Sequence, residues 1–444
     1  MPNLSSYQSA VLRSIFVAAP DTAVCSLERA LRGEAGSASA MSAVYELIAR
    51  EAENRRVRAA VFAPLVRLCA SSPDKAIRFP PAIISLLWTA LLQAEPPLAE
   101  AALAFSAKHC EDPLAIDVYN QLCAAAAAGL RLEAAEFVVA VDCLNRGQPE
   151  GAALFASFLD LVPLARSTLA RLPEWVGRMT EERAAASRVA YKDAVALSDD
   201  AGPQFFELLH ANLTEPWLIL RVLSAVMDRP NDGYAAVSEL SRFGVYILDD
   251  IDRRLEGFAK FDPAGGRAAG VAAADQLHIA ALEIAEFDAS LEISREGPWG
   301  RRLVLQKQRL AQSAENRLNQ VEKVLDVALP LQPVRFGKGT RGHPRLNAEP
   351  DPAAICKAEA MLAFAEHSRA AANQAGYGSA RAKVLEKIEA RLDQYVEDLL
   401  ELLRAEQVEE PERVRAFLEV SANLAEVAKG EKAGQIVRRR AAAA

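Results

Sequence analysis

Residues 384–403 read VLEKIEARLDQYVEDLLELL. Within them Leu385, Ile388, Leu392, Tyr395, Leu399 and Leu402 recur at alternating steps of three and four. That spacing holds apolar side chains on one stripe of an α-helix, whereas a half-buried strand would show alternation at every second residue. Glu386, Lys387, Arg391 and Glu397 fall outside the stripe, which gives the segment an a/d seam of the coiled-coil kind. Leu318, Val321, Leu325 and Ala328 carry a shorter seam of the same sort. Both seams are expected to pair with helices of the same chain, with a homodimer through 385–402 as the alternative.

The same periodicity extends outward through most of the 444 residues. Hydrophobic residues make up 51% of the chain and aromatics only 6%. The apolar share is carried by Ala, Leu and Val, with Ala and Leu the strongest helix formers, and the aromatic residues that strands favour are thin. The expected fold is all-α: a multi-helix array, either an irregular α-solenoid or a bundle, followed by a bundle of longer helices. A chain of this length exceeds the usual single core, so more than one packed unit is expected.

Three regions are read along the chain. Residues 1–260 form an array of short helices, HEAT-like in style, punctuated by Pro, Gly, Asp and Asn at helix-length intervals. Pro81, Pro97 and Pro113 suit the first turn of a helix, where a missing N–H costs nothing. Pro64 and Pro163 interrupt apolar patterns and should split their helices. Residues 261–430 hold longer, more charged helices, expected near 268–296, 299–329, 353–374, 378–407 and 411–429. Residues 431–444, with Arg438, Arg439 and Arg440 before four alanines, read as a flexible tail. Between the long helices, 330–352 is dense in Pro and Gly and reads as a long basic loop.

Bulk charge narrows the function classes. A net charge of −8 lacks the basic footprint of general nucleic-acid binding, so any such contact would be local. The six cysteines contain no CxxC pair and read as free thiols among apolar neighbours. The first residues lack a basic region leading into a long apolar core, and the longest uncharged run, 79–94, falls short of the ~20 residues needed to cross a bilayer. A cytoplasmic protein without membrane contact is the expectation. The four tryptophans, Trp88, Trp175, Trp217 and Trp299, are assigned to cores.

Three groups of residues carry candidate chemistry. Arg335, Lys338, Arg341, His343 and Arg345 are interleaved with Gly337, Gly339 and Gly342 and contain no acid, a composition able to hold an anion or an acidic partner. It is no P-loop, because the glycine four residues before the Gly-Lys pair is missing. Asn231 and Glu239, with Asp232 and with Asp249, Asp250 and Asp252 further on, resemble the metal motifs of terpenoid synthases. The resemblance implies Mg²⁺ ions held against a diphosphate by these carboxylates. The pattern departs from that family in spacing, in Ala235 at the serine position, and in the order and closeness of the two clusters. The plainer reading is a helix cap at Asn231 or Asp232 and an acidic helix face beside Arg253 and Arg254.

Asp275, His278, Glu283, Glu286 and Asp288 suggest a carboxylate-bridged metal pair but lack the Glu-x-x-His motifs it needs. The five histidines, His109, His210, His278, His343 and His367, are dispersed, with no zinc spacing. No cofactor is expected. These observations favour a helical scaffold or adaptor that binds another protein, of which the basic 330–352 segment would form a contact. The alternatives are an all-α enzyme using Mg²⁺ on a phosphorylated or diphosphate substrate, and a helical-repeat protein touching nucleic acid through the basic segment.

Overall fold

A computed structural model of the chain describes residues 5–34, 40–70, 76–105, 112–336, 339–405 and 410–444. The fold is all-α, with one two-stranded ribbon among the described residues. Two compact units divide between Asp228 and Arg229.

The first unit is an array of short helices. It opens with α1 (Ser6–Ala18), α2 (Asp21–Leu31), α3 (Ala40–Val61), α4 (Ile83–Ala94), α5 (Pro96–Ala104) and α6 (Pro113–Arg131). It continues through α7 (Val138–Gly147), α8 (Gly151–Asp160), α9 (Val162–Leu169), α10 (Leu172–Val176), α11 (Glu181–Val195), α12 (Ala201–Asn212) and α13 (Ile219–Val226). Proline sets several starts: Pro113 opens α6 behind the Asp112 cap, whose side chain accepts from Leu114 N at 2.9 Å. Pro64 and Pro163 act as expected. The first follows the end of α3 and opens the 3₁₀ turn Ala63–Cys69, and the second opens α9 after a 54° bend from α8.

The end of α3 shows what ties this array together. Its last carbonyls have no partner within the helix. Arg166 of α9 donates to Ala60 O at 2.9 Å and to Val61 O at 2.8 Å, and the Cys123 thiol of α6 also reaches Val61 O. Asn212, at the end of α12, donates to Pro64 O in the following turn at 3.0 Å. Residues far apart in sequence thus converge on one helix end. Arg221 closes α10 in the same way through Val176 O and Gly177 O. The unit's tryptophans, Trp88, Trp175 and Trp217, are buried.

The second unit begins with α14 (Asp232–Ala235), α15 (Ser241–Ala259), α16 (Gly266–Ser290) and α17 (Gly300–Ala328). The ribbon β1 (Leu331–Phe336) and β2 (Gly339–Pro344) follows. The chain ends with α18 (Pro352–His367), α19 (Arg369–Ala375), α20 (Gly378–Arg404), α21 (Pro411–Lys429) and α22 (Glu431–Ala443). The core is centred on α16 and α18, which meet closely because Gly270 has no side chain: a Cβ there would lie 2.0 Å from Ala360 O. Trp299 is buried here against Phe287, with ring centroids 5.8 Å apart. Both seams are buried apart from Leu402, which is half-buried. Leu385, Ile388, Leu392, Tyr395 and Leu399 are covered as α20 packs on α17 and α21, and Leu318, Val321, Leu325 and Ala328 are covered likewise. Those five side chains of the 385–402 seam are therefore covered by helices of the same chain.

Three expectations are corrected. The division falls at 228/229 rather than 260, because α15 packs against α16 and α17. The 330–352 loop contains an antiparallel ribbon that pairs Leu331 with Pro344 and Phe336 with Gly339. Residues 431–444 are largely helix rather than tail. α22 lies on α21 with Val437 and Gly434 buried, and a Cβ at Gly434 would sit 2.8 Å from Ala422 O. Arg438 pairs with Glu419 and Glu426, and Arg440 with Glu397 at 2.6 Å.

Candidate functional site

The acidic cluster of the second unit is already satisfied by arginine. Arg302 of α17 lies 2.6 Å from Asp249 and 2.7 Å from Asp252, two carboxylates on the same face of α15. Asp250 pairs with Arg253 and Arg254, and the Arg254 guanidinium reaches on to Glu283 at 3.4 Å and Gln276 at 3.3 Å. Asn231 caps α14, its side chain accepting from Tyr234 N at 2.9 Å. Asp232 is buried and accepts from Ser294 N at 3.3 Å, while its own N–H donates to Glu292 O, fastening α14 to the loop after α16. Glu239 is exposed in the turn before α15. The residues of the metal reading are thus spread over separate contacts, and among the described residues no group of three or more His, Cys, Asp or Glu side chains is arranged to hold a metal.

Glu283, from the second candidate metal group, is instead a buried member of this ionic network. Burial pushes its carboxyl up to about 7, against the opposing pull of Arg254 and Arg253. One of its oxygens, Oε2, has no hydrogen-bond partner. Glu286 is also buried and accepts from Ser290 Oγ at 2.5 Å.

The basic group divides over the ribbon. Register places position 335 opposite Thr340, while 341 and 343 oppose Val334 and Gln332. Since successive residues of a strand alternate faces, position 335 belongs to one face and positions 341 and 343 to the other. Lys338 lies outside the described residues, as do the side chains of Arg335 and Arg341. His343 is half-buried. Arg345 is exposed just beyond the ribbon, its Nε donating to Asn347 at 3.0 Å.

A different surface emerges in the first unit, around α1. Ser5 and Gln8 form a reciprocal capping box at its start. At its other end Arg55 of α3, itself buried, donates to Phe16 O at 2.6 Å and Ala19 O at 2.8 Å and pairs with Asp21 and Glu51. Phe16 packs with Val24, Ile48 and Ala52, and Leu12 and Ala19 cover that small core. This leaves Tyr7, Val11 and Ile15, four residues apart, on the outward face, where they are 77%, 39% and 54% exposed. α1 is apolar on both faces.

Beside it, α1, α3, α4 and α5 enclose an open groove of about 470 Å³. The buried Phe16 lines it with Val17, Leu47, Leu92 and Leu103, and the exposed Arg13 and Arg50 line it together with Glu51 and Glu53. None of these groove residues was anticipated as functional. The signal was present in α1, where apolar residues surround the helix instead of lying along one stripe. No family model matches the chain, and no curated protein or solved structure matches it at a significant level.

Proposed function

We propose that the chain is a cytoplasmic helical scaffold that binds another protein through the exposed side of α1. The observation that carries this reading is the Tyr7, Val11 and Ile15 stripe, held outward on a helix fixed at both ends. Aligned apolar side chains left in water on an anchored helix favour a second surface that removes them from it. Free thiols at Cys69 and Cys123, both buried, fit a reducing compartment. Among the described residues no single helix is long and apolar enough to cross a membrane.

The basic ribbon supplies a second contact in this reading, with Arg345 the exposed member whose side chain is described. The test is affinity capture from the native host with the wild-type chain and with the triple variant Y7S/V11S/I15S. The variant is expected to keep its melting temperature and lose the captured protein. An unchanged set of captured proteins would remove α1 from the interface. A parallel R335S/K338S/R341S/R345S variant reads the contribution of the ribbon.

A further inference from the structure

We propose that the groove beside α1 docks an amphipathic helix whose apolar face fills it and whose flanking carboxylates meet Arg13 and Arg50. This rests on the scaffold reading and adds the chemistry of the partner.

The charges around the groove decide that chemistry. Its two acids are neutralised locally: Glu51 pairs with Arg55 at 2.8 Å and Glu53 with Arg56 at 2.8 Å. The acids behind them are also matched, Asp21 by Arg55 and Arg58, and Glu28 by Arg56 and Arg32. Arg13 and Arg50 make no ion pair or side-chain hydrogen bond among the described residues. Glu46, one turn before Arg50 on α3, makes no ion pair with it. The rim therefore presents two unmatched guanidinium groups over an apolar trough.

The placement of the charges selects the class of occupant. Arg13 and Arg50 are exposed at the mouth and not sunk in the floor, so the carboxylates they attract remain wet while apolar side chains enter. That is the arrangement by which a groove receives an amphipathic helix. The volume, about 470 Å³, lies within the range of pockets that bury ligands and anchor side chains.

The experiment uses the full chain and two labelled synthetic helical peptides, one of leucine and glutamate and one with lysine in place of every glutamate, read by fluorescence anisotropy. The glutamate peptide is expected to bind the wild type and to lose about tenfold in affinity for R13E/R50E, the sum of two partly exposed charge contacts. The lysine peptide is expected to prefer R13E/R50E. V17D/L92D should abolish binding of both, whereas Y7S/V11S/I15S should leave the glutamate peptide bound. Equal binding of the two peptides, no binding of either, or a concentration-dependent dimer lost in V17D/L92D would each overturn the proposal. The scaffold reading fails separately, through an unchanged capture pattern of Y7S/V11S/I15S.

Discussion

Arg55 shows how much one side chain organises. Five donors in a fixed planar fork let its guanidinium join the last carbonyls of α1 to Asp21 and Glu51 at once. Arg55→Ala would remove the guanidinium donors from those carbonyls and leave Glu51 without its counter-charge. A loss of about 3 kcal/mol is expected, measured by urea unfolding. Arg55→Lys should recover little of it, because an ammonium cannot span the same acceptors. Glu283 gives a pH signature. Its carboxyl is raised from an ordinary 4.5 to about 7, so between these values the folded chain holds a proton that the unfolded chain has released. Stability from this group therefore falls as pH rises through that window and is gone above it. Glu283→Gln should flatten this part of the melting-temperature profile and raise stability at pH 8. Asp249 and Asp252 share Arg302, so adding Mg²⁺ and pyrophosphate should not shift the melting temperature; a ligand-dependent rise would revive the metal reading.

At the level of elements, the long helices were legible and the short irregular ones less so. Expected limits of 299–329 and 411–429 meet α17 at 300–328 and α21 at 411–429, because sustained seams and a first-turn proline mark them. The ribbon escaped notice since Pro333 and Pro344 cannot donate to a ladder and break the usual strand pattern. A two-stranded ribbon tolerates them because each strand has an open edge. α22 escaped because three arginines before four alanines read as a tail, whereas Gly434 permits close packing on α21. Removing residues 431–444 should accordingly lower the melting temperature and helical content, where loss of a frayed tail would alter neither. Gly270→Ala should cost at least about 2 kcal/mol, since α18 must withdraw from the new methyl group. The groove's role could not be read from sequence, because it depends on which arginines find acids across four helices. Arg13 and Arg50 look no different in the sequence from Arg55 and Arg56.

The molecule as a whole comprises two units, each with helices sufficient for a core of its own. Residues 1–228 and 229–444, produced separately, are each expected to unfold cooperatively with high helical content by circular dichroism. A molten profile for either piece would show that its core is incomplete without the other. The arginine ties of the first unit carry a further consequence, for synthesis. Arg166 follows Ala60 by 106 residues. While a ribosome makes the chain, the end of α3 therefore emerges long before the side chain that will seal it, and water must hold its carbonyls meanwhile. The small core under α1 has all its residues by then, since they precede Ala60, so it is the α3 terminus alone that must await α9.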